Sequence, residues 1–407
     1  MGRCLKGNMG YQWVIVALLW FSHTAYYLNF MTVGTLAPFI QNDLALTSAQ
    51  IGFLTSALTI GSMLIQIPSG LLVDRFGPRW IMVLGLILVS ATSFLISFYQ
   101  FYPIMFILLV FLGIGIGANQ TPATKAIIMW FPSKGRATGM GIKQTGVNMG
   151  GILAPLLLPA VAIHFQNWSY SYLFASLIAV VAVVLVFSLY KDAPETVFVR
   201  AHWEKTSWNS LRSLLTDIDF LLLCSAGILL MVAQFVFSTY FMLYAVQVLR
   251  LPLTRCGSLL ALAFVSGAGG RIVWSVTSDY LLKGKRDKVI IVLAIVGVFS
   301  SLMLILGPNM PQPLIYIAVI GFGFSSLGWS AIYYTAVGEY PPVSMTGTAA
   351  GISFVITSVG AILGPPAFGY LRDITGNYKS GWVFTTLCLC AVVMLVKLKK
   401  KDRMAQV

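Results

Sequence analysis

YLFASLIAVVAVVLVFSLY, residues 172–190, runs without a single charged side chain. At 1.5 Å of rise per helical residue it is roughly 28 Å long, matching a hydrocarbon core about 30 Å thick. Lipid offers backbone N–H and C=O groups no partner, so a run of this length has to be a helix. IMFILLVFLGIGIGA at 104–118 has the same character. Of 407 residues, 58% are hydrophobic and 9% charged, whereas a soluble chain carries roughly 25% charged residues. Strands of a β-barrel would alternate in short segments, and these runs do not. At about 20 apolar residues per span plus its connection, the length accommodates about twelve helices. The first apolar run extends from Tyr11 to about Ile40 without an A-x-A-like cleavage site, so a removed leader is not expected. The fold class expected is an all-α integral membrane protein.

The formal net charge is +14, but its placement argues against nucleic acid. With loops assigned alternately to the two sides, 19 of 26 Lys and Arg fall on the side of the termini. Among them are Arg3, Lys6, Arg75, Arg79, Lys134, Arg136, the 283–288 cluster and the run from Lys397 to Arg403. Arg250, Arg255, Arg372 and Lys379 fall on the other side. This asymmetry places both termini in the cytoplasm, with a bacterial inner membrane as the expected location. The five cysteines show neither metal-ligand spacing nor a disulfide framework; neither a metal nor a cofactor is expected.

Spans are expected near 12–36, 51–73, 80–99, 103–131, 137–163, 170–190, 218–247, 256–281, 288–307, 312–338, 346–371 and 380–397. The long polar connection 191–217 divides them into bundles at 1–190 and 218–407. The halves align with each other. At an offset of 205, Leu46 meets Leu251, Gly52 meets Gly257 and Asp74 meets Asp279; at 210, Gly141 meets Gly351, Gly150 meets Gly360 and Pro155 meets Pro365. Ordered matches of this kind mark an internal repeat, and paired six-helix halves are a transporter architecture.

After span 2 the chain reads Gly70-Leu-Leu-Val-Asp74-Arg75-Phe-Gly77-Pro-Arg79, and after span 8 a weaker copy, Ser275-x-x-x-Asp279, precedes Lys283, Lys285 and Arg286. This duplicated loop resembles the signature of the major facilitator superfamily, and the resemblance covers essentially the whole chain. It implies two pseudo-symmetric six-helix bundles that alternate access to a midplane site, with Asp74, Arg75 and Asp279 serving the gate.

An ionisable side chain in hydrocarbon costs about 2.5–3.5 kcal/mol on the lenient insertion scale, so each one present needs a reason. Arg271 lies eight residues before Asp279, about 12 Å deeper than the rim. A guanidinium there suits bidentate capture of a carboxylate; the alternative is a structural Arg bonded to carbonyls of a broken helix. Its place is similar to that of the substrate Arg in nitrate porters, monocarboxylate transporters and oxalate exchangers. Nitrate porters carry a second Arg on span 2 where this chain has Gln66, which leaves one cation plus an amide and favours a singly charged anion. Lys125 and Lys143 are the other two intramembrane cations, expected either to snorkel to the interface or to extend a positive funnel for the substrate. Residues 125–151, KAIIMWFPSKGRATGMGIKQTGVNMGG, resemble the span 4–5 region of organic anion:cation symporters of sugar acids. Those relatives also carry an Asp-Arg pair on span 1 and an Arg and a Glu on span 4. Here the chain has Tyr27-Leu-Asn29-Phe and only Asn119 and Gln120, so their coupling chemistry does not transfer.

No acid falls at mid-membrane depth. His23, near the centre of span 1, is the one histidine placed to titrate there, so a proton is the candidate coupling ion; the alternative is a neutral His bonded to a neighbouring helix. Tyr26, Asn29, Asn119, Gln120, Asn148, Gln234, Tyr240, Trp329, Tyr333 and Ser358 lie at cavity depth, and of these Asn119, Gln234 and Tyr333 are the expected substrate contacts. The glycines of 139–151 and of 347–360 are expected to serve helix crossing rather than a ligand.

The expected function is secondary transport of a small organic anion, a monocarboxylate, by a monomer in the lipid bilayer. The alternative is an exporter of drugs or other lipophilic or anionic compounds, although cationic drugs would call for an acid in the cavity. Neither enzyme chemistry nor a nucleic-acid partner is indicated.

Overall fold

A computed structural model of the chain describes residues 10–131, 135–192, 213–282, 284–309, 311–341 and 345–399. Arg3, Lys6, Lys134, Lys283, the basic run from Lys400 to Arg403 and residues 193–212 of the long connection lie outside that set. Among the described residues there are twelve helices long and apolar enough to cross a membrane. The first is α1 (Tyr11–Asp43). Ser48–Ile96 is two helices, α2 (48–76) and α3 (78–96), which meet at Gly77 with φ 81° and ψ 163°. There follow α4 (Tyr102–Trp130), α5 (Thr138–His164), α6 (Ser169–Leu189), α7 (Ile218–Gln247), α8 (Leu253–Leu281), α9 (Arg286–Ile305), α10 (Gln312–Glu339), α11 (Thr348–Thr375) and α12 (Lys379–Leu398).

The chain folds as two compact units, Met1–Leu44 with Ala57–Ala201, and Ala45–Ser56 with His202–Val407. The first two turns of α2 therefore belong with the second unit. A physical reason is visible there: Pro366 has no N–H to give the carbonyl of Ile362 four residues back, and the Ser56 hydroxyl donates to that carbonyl instead. Nearby, the Asp373 carboxylate accepts from the backbone N–H groups of Ser48 (3.0 Å) and Ala49 (2.8 Å), the orphan donors at the start of α2.

The core of the first unit joins Ile15, Leu18 and Leu19 of α1 to Met82 and Leu86 of α3, Ala123, Ala126 and Ile127 of α4, and Ala182 and Val186 of α6. In the second unit Phe237 of α7 stacks on Phe322 of α10 at 4.5 Å, and the fully buried Trp382 of α12 closes on both. Helices pack closely in each half where glycine removes the side chain. A Cβ on Gly150 of α5 would stand 2.7 Å from the Thr24 carbonyl oxygen of α1, and one on Gly360 of α11 would stand 2.0 Å from that of Ile228 on α7. These two glycines are the pair matched at offset 210, so the repeat extends to the contact itself.

Candidate functional site

Lys143 is the feature around which the first unit's polar interior is built. It sits in the second turn of α5 and is 2% exposed. Its ammonium carries three donors, and the hydrogen bond it makes is a long one, 3.3 Å to the Thr124 hydroxyl of α4. Among the described residues no carboxylate lies within ion-pair distance of it.

The contacts continue from Thr124 along α4 and across to α1. The Thr124 hydroxyl donates to the Gln120 carbonyl one turn earlier, at 3.1 Å. The Gln120 side-chain amide meets two groups of α1, the His23 Nε2 at 3.2 Å and the Tyr26 hydroxyl at 3.0 Å. On its other side the His23 ring places Nδ1 2.8 Å from the Leu19 carbonyl oxygen. His23 is fully buried and its ring tilts on Tyr26 at 4.9 Å. Gly146, one turn after Lys143 and on the same face of α5, lies against the Trp20 carbonyl and the His23 Cβ. Lys143 is thereby one turn along α5 from the residue that packs on His23.

Asn119, although adjacent in sequence to Gln120, is turned about 100° around α4. Its amide nitrogen donates to the Gly115 carbonyl at 2.7 Å and would touch a Cβ placed on Gly85 of α3. Its Oδ1 is buried without a hydrogen-bond partner among the described residues, and it is Gln120 of α4 that meets His23 and Tyr26. Gln66 is half-exposed on α2 and, among the described residues, forms no side-chain hydrogen bond with this group.

Lys125 is turned to the loop acid at the polar end of α2. Its ammonium is 2.6 Å from the Asp74 carboxylate and 3.4 Å from the Val73 carbonyl, which ties α4 to the end of α2. The Gly77 turn that follows needs glycine for its positive φ, and the Asp192 carboxylate after α6 accepts from the Arg79 N–H at 3.3 Å. Arg75 is exposed, its guanidinium over the Phe76 ring at 5.2 Å. The half-exposed Asp74–Lys125 pair is worth about 1 kcal/mol or less in stability. Lys125→Met is therefore expected to slow transport while leaving substrate affinity within twofold of wild type, a split visible in KM against kcat for uptake into liposomes.

In the second unit Asp279 is clamped by Arg286, the first residue of α9, whose guanidinium also takes the Glu339 carboxylate at the end of α10 at 3.1 Å. Each half thus ties its loop acid to the fourth helix of that half, by Lys125 in one and through Arg286 to Glu339 in the other. The partner of Asp279 was legible in the basic cluster after α8; Glu339 carried no local signal.

Arg271 lies beside a widened, π-helical turn of α10, Gly323–Leu327. Gly270 lets α8 approach so closely that a Cβ there would fall 2.3 Å from the Phe324 carbonyl oxygen. Trp274 donates to that carbonyl at 2.8 Å, and the Arg271 Nε reaches the Leu327 carbonyl at 3.4 Å. One N–H of the guanidinium thus meets a carbonyl of the widened helix, and the run Gly321-Phe-Gly-Phe-Ser-Ser-Leu-Gly328 was the available signal for that turn. Elsewhere in this unit the Trp329 indole donates to the Gln234 amide oxygen at 2.7 Å. The Tyr333 hydroxyl pairs with Ser353 at 2.8 Å, buried over Gly227. By the offset of 210, Ser353 stands where Lys143 stands in the first unit. The repeat places a polar link between the fourth and fifth helices of each half, and only the first half gives it a charge.

Twelve spanning helices in two units, a duplicated acidic loop tied by bases and a buried cation define a polytopic transport protein rather than an enzyme. Residues 19–365 match the Major Facilitator Superfamily, and the chain belongs to that family. It is 23% identical over 382 residues to the hexuronate transporter of Bacillus subtilis, covering 91% of this chain and 90% of that one. It is 22% identical over 431 residues to the "Probable galactarate/D-glucarate transporter GudP" of the same organism, covering 96% and 94%. Among solved structures, a bacterial homolog of the human lysosomal transporter Spinster superposes with a TM-score of 0.80 at 16% identity, over 96% of this chain and 97% of that one.

Proposed function

We propose that the protein is a secondary transporter of a small organic anion, a monocarboxylate of the sugar-acid kind, working by alternating access in a bacterial inner membrane with both termini cytoplasmic. The observation that carries this reading is Lys143, a buried ammonium with no carboxylate partner among the described residues. A buried charge left unpaired is costly, and a substrate carboxylate supplies the missing partner. The Thr124 hydroxyl stands beside it as a neutral polar group that can read a substrate hydroxyl. Among the described residues Lys143 is a buried cation without a carboxylate, and one ammonium suits one carboxylate; Lys125, by contrast, is paired with Asp74. The relatives named for hexuronate and for galactarate and glucarate lie within the same chemical class, polyhydroxylated carboxylates. A proton taken up at His23 serves as the coupling ion.

A thermal-shift series on purified protein tests the substrate class. D-glucuronate at a hundredfold excess over its Kd is expected to stabilise by about 2.7 kcal/mol, and D-glucose, which lacks the carboxylate, to give no shift. Equal shifts from the two sugars would place recognition in the hydroxyls and remove the anion from the assignment.

A further inference from the structure

The hydrogen-bond directions around His23 define two states of one amide. A carbonyl oxygen only accepts, so Nδ1, 2.8 Å from the Leu19 carbonyl, carries a proton. When the imidazole is neutral, Nε2 is therefore an acceptor, and Gln120 has to present its NH2 to it, with Tyr26 accepting from the same NH2 through its oxygen. When the imidazole is protonated, Nε2 becomes a donor, and Gln120 has to present its carbonyl oxygen, which then accepts from both Nε2 and the Tyr26 hydroxyl at 3.2 and 3.0 Å. The two ends of an amide have the same shape and differ only in donor and acceptor character. A proton on His23 therefore reverses the end of Gln120 that is turned away from the ring.

Resting on the reading of Lys143 as the anion anchor, we propose that Gln120 is the positioning residue that couples proton and anion. With His23 protonated, the amide offers its NH2 to a carboxylate held by Lys143; with His23 neutral, it offers its carbonyl oxygen and repels that carboxylate. Charge works in the same direction. Among the described residues, the charged or titratable groups beside His23 are Lys143, one turn before Gly146 on α5, and Tyr26 of its own helix. From α4 comes uncharged Gln120, while Lys125 of that helix is turned to Asp74. The titratable groups of α6, Tyr170 and Tyr172, lie in its first turn, toward the Asn29 end of α1, where α6 meets Asn29 through Ala175. A second positive charge beside Lys143 is unfavourable until an anion arrives, so each ligand favours the other, as linkage requires. The result is symport of a proton with an anion that needs no intramembrane acid.

The test is D-glucuronate affinity, read by counterflow in liposomes at pH 6 and pH 8, a range over which the sugar's own carboxyl stays ionised. Wild type is expected to bind more tightly at pH 6, by more than about fivefold and within the single-proton limit of about tenfold per pH unit. Gln120→Met, which preserves length but has no reversible amide, is expected to keep binding through Lys143 while its pH 6 to pH 8 ratio falls below about twofold; His23→Gln is expected to lose the ratio as well. A wild-type ratio near one, with binding still abolished by Lys143→Met, overturns the coupling and leaves the anion site standing. An unchanged ratio in Gln120→Met removes Gln120 from the coupling. Absence of D-glucuronate binding by wild type at both pH values overturns the substrate reading and the coupling together.

Discussion

Lys143→Met is expected to bring D-glucuronate binding below detection while the protein keeps its elution profile and loses no thermal stability. Methionine retains the stem of the side chain and removes the ammonium, so the change isolates the charge. Truncating one partner of a buried charge pair costs about 2–5 kcal/mol, which corresponds to a weakening of roughly 30-fold to several thousandfold. Stability should move in the opposite direction, because in the ligand-free protein the ammonium has one 3.3 Å hydrogen bond to offset its burial. Lys143→Arg is not a conservative control here: a planar fork presents its donors differently from a compact ammonium, and the side chain it replaces is buried. Equilibrium binding measured by scintillation proximity on detergent-solubilised protein checks the expectation. Wild-type affinity in Lys143→Met would transfer the anchor to another residue.

The second large effect is expected from Gly360→Leu, which should abolish the yield of monodisperse protein, with Gly351→Leu as its control. The two glycines lie on the same helix, and both have counterparts in the first half, Gly150 and Gly141. A Cβ at 360 would fall 2.0 Å from a backbone oxygen of α7, whereas one at 351 meets nothing within 4 Å. Overpacking a core costs about 1–3 kcal/mol when side chains can adjust. Here the obstacle is helix backbone, so α7 and α11 have to separate. Gly351→Leu should be neutral or slightly stabilising, since glycine in a helix interior costs about 1 kcal/mol relative to a good helix former. Fluorescence-detected size exclusion of the two variants, alongside Gly150→Leu and Gly141→Leu, gives the comparison. Equal behaviour of 351 and 360 would contradict the close α7–α11 crossing.

The same glycine pairs show where legibility ended. Spacing alone matched Gly141 to Gly351 and Gly150 to Gly360 and marked all four as mechanical. Which of them touch a neighbouring helix depends on the rotation of α5 and α11 about their axes, and a helix that is apolar all round carries no periodic signal to set that rotation. The difference between Asn119 and Gln120 has the same origin. Both are polar and at the same depth, but about 100° of rotation sends one into the α3–α4 packing and the other to His23. Lys125 and Lys143 likewise lie at similar distances in sequence from the facing ends of α4 and α5. One finds Asp74 and the other finds Thr124, because they are on different helices facing different neighbours.

From residue order alone followed the membrane class, the count of twelve spans, the two-fold repeat with its acidic loops and the family. Each of these rests on hydrophobic run length, charge bookkeeping or spacing, which are properties of the chain before it folds. Tertiary structure alone decided that Arg271 reaches the carbonyl of a broken α10, that Lys125 pairs with Asp74, and that Lys143 is left with a single long hydrogen bond among the described residues. The physical reason is that a cation in the membrane is defined by the partner it meets. Partners are set by which helix faces which, a relation between residues 19 to 56 positions apart in sequence that no local pattern encodes.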